Sequence, residues 1–258
     1  MVLIDTHAHL YLPQFYDDIE QVLINATKSH VEKILLPNID NESLAPMMNL
    51  CNRFPLHCHP MLGLHPTSVK EDFREKLSLM ESMADNKIFV AIGETGMDAY
   101  WDTSFLSQQE DSLIWHIELS KNKDLPVVIH SRETMDNILE IIRSSGKGQV
   151  RGVFHAFSGT VNQAMEVIDM GFKLGVGGVA TFNNSGLEEV IKAVDLKHIV
   201  LETDAPYLTP VPYRGRRNES ANLIYIAKKI AEFKNIPIEN VAEITSNTAT
   251  ELFNLKSQ

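Results

Sequence analysis

The 258 residues carry 34 acidic and 23 basic side chains, a formal charge of −11, and 44% hydrophobic residues. That composition supports a sizeable core and excludes a disordered chain. It also excludes any global electrostatic attraction to nucleic acid or anionic membranes, so binding to DNA needs a local basic cluster or bound cations. Cys51 and Cys58 form no CxxC pattern and no disulfide framework, which fits a reducing compartment. No apolar run approaches the roughly 18 residues of a membrane span, and no leader-like segment precedes the first apolar run. The expected location is the cytoplasm, with no membrane and no obligate protein partner.

Met1–Ile4 is an apolar, β-branched run and reads as a strand that ends in Asp5-Thr-His-Ala-His9. Period-two alternation places Asp5, His7 and His9 on one face, where two imidazoles can reach one metal ion. A helical stripe follows over 17–30, with Ile19, Val22, Leu23 and Ala26 as its apolar positions. Lys33–Pro37 is a second strand. A helix opens at Asn41 and is stopped by Pro55, and Cys58–Pro66 is a third strand with His65 at its carboxyl end. A helix over 71–86 leads to a fourth strand, Ile88–Gly96, which carries Glu94. A loop containing Tyr100 and Trp101 precedes a helix over 108–123.

The second half keeps the rhythm. Strands are expected at Pro126–Arg132, Gly152–Gly159, Phe172–Thr181 and Ile199–Pro206, with helices over 133–144, 161–170 and 187–194 between them. Two further helices, over 219–233 and 238–253, finish the chain. Eight apolar strands alternating with helices, at about 25–35 residues per unit, predict a single-domain (β/α)8 TIM-like barrel over 1–258. A doubly wound open sheet is the alternative, but a Gly-rich phosphate turn is its usual mark after strand one, and His7-Ala8-His9 stands there.

In such a barrel the chemistry gathers at the C-terminal ends of the strands. His7, His9, Glu94, His130, His155 and Asp204 all fall at or near those ends. Four imidazoles and two carboxylates suit Zn, Mn or a similar divalent ion, and a carboxylate can bridge a pair. Arg214, Arg216 and Arg217 form the one dense basic cluster, after strand eight, with guanidinium forks that suit phosphate. A merely solvated loop is the other reading of these arginines.

The blocks Asp5–His9, Gly63–Pro66, Gly93–Asp98, Ile129–Arg132, Phe154–Gly159, Leu201–Pro206 and Arg214–Glu219 resemble those of the TatD-type metal-dependent deoxyribonucleases. The resemblance runs in order from residue 3 to about 253. Met97, Ala99, Ala156 and Ser220 depart from the family's usual residues, and none of them is a candidate ligand. The resemblance implies a barrel of the amidohydrolase superfamily, divalent cations (Zn, Mn or Mg), and 3′→5′ hydrolysis of DNA at single strands or 3′ ends. It assigns His7, His9 and Asp204 to one metal, His130 and His155 to a second, and Glu94 to the bridge. A shared carboxylate offsets the repulsion between two cations, and Asp204 is the candidate to orient a water and accept its proton. Further candidates are His65 for a phosphate or leaving group, and Asp98 and Arg132 for the substrate lining. Glu202 is read either as an orienter of a ligand, as a ligand itself, or as a buried structural carboxylate. The rival functions are a binuclear-metal hydrolase of small esters, amides or lactones, and a non-catalytic metal-binding protein.

Overall fold

The computed structural model describes residues 1–146 and 148–255. Its eight strands are β1 (Leu3–Asp5), β2 (Val31–Leu36), β3 (Cys58–Leu62), β4 (Ala91–Asp98), β5 (Val127–Arg132), β6 (Gly152–Phe154), β7 (Phe172–Val176) and β8 (Ile199–Leu201). They pair in chain order, every pair parallel. Just past the ends of β1 and β8 the barrel closes, where Ala8 bridges Ala205. The seam is sewn by Thr6 N to Leu201 O at 2.9 Å, His9 N to Ala205 O at 2.7 Å and Asp204 N to His7 O at 2.8 Å. These three bonds hold His7, His9 and Asp204 side by side.

The helices that return between strands are α1 (Ile19–Lys28), α2 (Asn41–Arg53), α3 (Phe73–Met83), α4 (Leu106–Lys123), α5 (Met135–Ser144), α6 (Val161–Asp169) and α7 (Leu187–Ala193). Two of them start at capping boxes, Asp40 with Ser43 for α2 and Thr160 with Gln163 for α6, which satisfy otherwise orphaned N–H groups. After β8 come α8 (Leu223–Lys234) and α9 (Ile238–Leu252). Inside the barrel Ile4, Leu35, Met61, Ala91, Val128, Val153 and Val200 form one buried cluster, with Leu252, Phe253 and Leu255 at the end of α9 packed onto it. The alternate strand residues pack outward against the helices in a second, larger core. With α9 plugging one end, the opposite, C-terminal end of the strands is where polar side chains collect.

The (β/α)8 expectation holds, while several strand boundaries differ, among them β3, which ends at Leu62 and leaves His65 beyond it. β4 begins at Ala91 rather than Ile88 and continues to Asp98, because an irregularity between Ile92 and Thr95 lets Thr95–Asp98 pair with Ile129–Arg132. Glu94 therefore lies within the strand and not at its exit. The seventh strand stops at Val176, and Gly178–Thr181 is a turn of 3-10 helix. β6 and β8 are only three residues long, since Ala156 and Asp204 turn the chain out with positive φ of 45° and 56°. Short polar side chains tolerate that left-handed region better than bulky ones, and at Asp204 the turn swings the carboxylate towards the β1 histidines.

Candidate metal centre

His7 and His9 enter from the β1 exit, Glu94 from β4, His130 from β5, His155 from the β6 exit and Asp204 from the β8 exit. All six converge. His7 Nε2 lies 3.1 Å from Glu94 Oε2 and 3.3 Å from His9 Nε2. Asp204 Oδ1 lies 3.5 Å from His9 Nε2, 3.8 Å from His7 Nε2 and 3.9 Å from His155 Nε2. The other Glu94 oxygen, Oε1, faces His130 Nδ1 at 3.0 Å, His65 Nε2 at 3.4 Å and His155 Nε2 at 3.8 Å. One buried carboxylate thus addresses two groups of imidazoles, one with each oxygen.

The donor chemistry fits cations. Tyr11 Oη donates to Pro37 O at 2.6 Å, so it accepts from His9 Nδ1 at 2.9 Å, which leaves Nε2 of that ring facing two carboxylates, Glu94 and Asp204. Two carboxylates facing one small buried space need positive charge between them. Neighbouring donor atoms 3.1–3.9 Å apart are spaced as they would be around an ion bound at about 2.0–2.2 Å. Among the described residues three sets bring one ligand atom each to within 4.8 Å of one another: His7, His9 and Glu94; His7, His155 and Asp204; and His65, Glu94 and His130.

Proton positions tell the same story. Burial alone disfavours a charged His155, but Glu202, Glu94 and Asp204 outweigh it and push the ring up to about 10. His130 is raised too, against burial, by Asp98 and Glu94. Burial depresses His7 and His65. Burial would raise Glu94, yet the surrounding rings of His65, His7 and His155 hold its carboxyl well below the usual range, and Asp204 is lowered for the same reason by His9, His155 and His7. Two carboxylates held in their anionic form call for positive charge, which bound cations would supply.

Behind these groups stand their orienters. Glu202 Oε1 lies 2.9 Å from His155 Nδ1 and accepts the Ala156 N–H at 2.6 Å. Asp98 Oδ2 lies 2.9 Å from His130 Nε2. Carboxylate–imidazole pairs of this kind fix which ring nitrogen faces an ion. Gly175 on β7 makes room for Glu202, because a Cβ there would fall 2.4 Å from Glu202 Oε2.

Other expected residues fall differently. Asp5 is buried, but its carboxylate accepts from Thr203 N at 2.9 Å and Thr203 Oγ1 at 2.6 Å, so it clamps the β1–β8 seam and leaves the two histidines to work without it. The period-two argument fails there because β1 ends at Asp5. His65 joins the cluster beside His130. Its Nδ1 accepts the Thr67 N–H at 3.2 Å, which leaves an N–H on Nε2 and makes the neutral ring a donor to the centre. Arg217 is already engaged: it donates to Asp18 Oδ1 at 2.9 Å and Oδ2 at 2.7 Å, to Glu219 at 2.8 Å and to Gln14 O at 2.6 Å. It ties the β1–α1 and β8–α8 loops together. Arg214 lies over the Phe182 ring, Arg216 over Tyr213 and Arg132 over Tyr100, none with a carboxylate partner among the described residues.

Sequence reasoning passed over three supports. Tyr11 holds His9 by its ring nitrogen from the turn after the β1 exit, where no strand period applies. Asn38 is fully buried, donates to Gly63 O at 2.9 Å and accepts the Glu94 N–H on its own carbonyl at 3.1 Å. His116 reaches in from α4: its Nε2 accepts from Leu64 N at 3.1 Å and its Nδ1 donates to Ser112 O at 2.7 Å. No local signal marks Tyr11, Asn38 or His116.

A parallel barrel with imidazoles and carboxylates gathered at the strand exits is the arrangement of a metal-dependent hydrolase. The chain belongs to the TatD related DNase family, whose model matches residues 4–254. It is 34% identical over 255 residues to the uncharacterized metal-dependent hydrolase YabD of Bacillus subtilis, spanning 98% of this chain and 100% of that one. The crystal structure of YjjV, a TatD homologue from Escherichia coli, superposes with a TM-score of 0.93 at 30% identity, covering 98% of each chain. A TatD-family hydrolase from Entamoeba histolytica shares the fold at a TM-score of 0.86 and 21% identity, again over 98% of each chain.

Proposed function

We propose that this protein is a deoxyribonuclease that removes nucleotides from 3′ ends of DNA, using two divalent cations held by His7, His9, Glu94, His130, His155 and Asp204. Cations bound there supply Lewis acidity and a water of lowered pKa. Asp204, kept ionised by its neighbours and partly open to solvent, takes the proton from the attacking water. The water oxygen forms the new bond to phosphorus and the 3′ oxygen of the neighbouring nucleotide leaves. His65, with an N–H on Nε2, donates a hydrogen bond to a phosphate or leaving oxygen at the centre.

The observation that carries the DNA reading is the distribution of arginines. Arg53, Arg74, Arg143, Arg151 and Arg217 are all paired with carboxylates, whereas Arg132, Arg214 and Arg216 are not. Those three sit on the exits of β5 and β8, the same face as the metal centre. In a chain of net charge −11, unpaired guanidiniums confined to one face suit a polyphosphate substrate rather than a neutral ester.

The test compares Arg214→Ala/Arg216→Ala with the parent on an end-labelled single-stranded oligonucleotide and on a panel of small esters and lactones. The reading expects a raised KM on the oligonucleotide, shallower salt dependence, and no gain on the small substrates. A parent enzyme far more efficient on a small ester than on DNA, with both arginines dispensable, would replace it with small-molecule hydrolysis.

A further inference from the structure

Beside the centre, Tyr100 and Trp101 are 52% and 68% exposed, which is unusual for rings of this size. They pack edge to face, with centroids 5.0 Å apart and planes at 89°. The Arg132 guanidinium lies 3.6 Å from the Tyr100 centroid and 5.4 Å from that of Trp101. The loop that carries them is pinned. Asp98, itself buried, accepts the Tyr100 and Trp101 N–H groups on Oδ1 at 3.0 and 3.1 Å, while its Oδ2 faces His130 Nε2 at 2.9 Å. Asp98 N in turn donates to the buried Gln109 at 2.9 Å. One carboxylate therefore fixes the aromatic pair relative to an imidazole of the centre.

We propose that Tyr100, Trp101 and Arg132 form a stacking shelf for one unpaired nucleobase next to the scissile phosphodiester, with Arg132 on an adjoining phosphate. The inference rests on the DNA reading and narrows it to strands whose end bases are already unstacked. Four features support it: an open indole face, a guanidinium with no carboxylate partner among the described residues, a rigid attachment, and position one side chain from the centre. Stacking on an aromatic ring tolerates any base, because every base has a π-face, so the shelf confers preference for single strands without sequence preference. A base held there is aligned with the centre by the Asp98 link instead of by pairing to a complement.

Binding and turnover are measured separately. The chain has two tryptophans, Trp101 and Trp115, so a Trp115→Phe variant leaves Trp101 as the sole indole reporter. Its fluorescence is titrated in Ca²⁺ with a thymidine oligonucleotide and with the same strand made abasic at its two 3′-terminal positions. Quenching by the first strand and little by the second supports the shelf, even if no DNA is cleaved and the nuclease reading itself fails. Equal quenching by both, or no quenching by the intact strand, overturns it. In cleavage assays Trp101→Ala should raise KM on the intact strand about 5- to 100-fold. The same variant should lose nothing further on the abasic strand. Additive losses would also overturn the shelf.

Discussion

Acidification should destabilise the fold through one histidine outside the metal cluster. His116 is fully buried, and burial lowers its pKa to about 4 from the ordinary histidine value of about 6.5. Both ring nitrogens are committed in the neutral form: Nδ1–H donates to Ser112 O, and the Nε2 lone pair accepts the Leu64 N–H. A proton on Nε2 would face that N–H. Because the folded pKa lies below the unfolded one, the stabilisation is fully present above the unfolded value and is lost as pH falls through the folded value. The window is therefore pH 6.5 down to 4, and the 2.5 pH units correspond to about 3 kcal/mol. The assay is urea unfolding at intervals from pH 7.5 to 4 for the parent and for His116→Gln, whose amide can accept from Leu64 N but cannot ionise. The difference in stability between the two should shrink or reverse by about 3 kcal/mol across that window. Parallel profiles would refute the reasoning and leave His116 an ordinary core residue. If they diverge, the loosened Leu64 backbone predicts weaker placement of His65, the next residue.

Glu202, Glu94 and Asp204 push His155 up to about 10, so a cation bound there should expel its proton; calorimetry in buffers of different ionisation enthalpy at pH 7.5 should show about one proton released per protein molecule, and none would contradict the ligand set. Asp204→Asn should lower kcat about 10²- to 10⁴-fold with the fold intact, as expected for a lost proton acceptor, and an unchanged rate would remove Asp204 from that role. Gly175→Ala should push Glu202 off His155, since the new Cβ would lie 2.4 Å from Oε2, and weaken metal affinity about 10- to 100-fold; titration with Zn²⁺ checks it, and parent-like affinity would show that Glu202 does not orient the ring.

The strand–helix alternation was legible because each barrel strand is a short apolar run between polar helices, and all eight expected strands overlap the observed ones. The six central residues could be read because each lies on or just beyond a strand that the period marks. What could not be read from the chain is what depends on contacts between distant residues. Asp5 was expected on the face of His7 and His9, but Thr203 lies 198 positions away and takes its carboxylate. Arg217 looked like its neighbours Arg214 and Arg216, yet Asp18 and Glu219 neutralise it. His65 entered the cluster because the chain turns at Pro66 into a 3-10 helix that His65 itself caps. Glu202 and Asp98 became orienters only once β6 and β5 placed His155 and His130 against them. In each case local pattern located the residue, and tertiary pairing decided its work.

The central claim is that His7, His9, Glu94, His130, His155 and Asp204 would hold divalent cations for the removal of nucleotides from 3′ ends of DNA. The measurement that tests it most directly combines elemental analysis of the purified protein with degradation of end-labelled single-stranded DNA, with and without added Mg²⁺ or Mn²⁺, for the parent and for Glu94→Ala. The account predicts bound metal in the parent, stepwise shortening from the 3′ end that depends on metal, and loss of both metal and shortening in the variant. Bound metal in a parent that leaves DNA untouched, or a Glu94→Ala variant that keeps full metal content and rate, would contradict it.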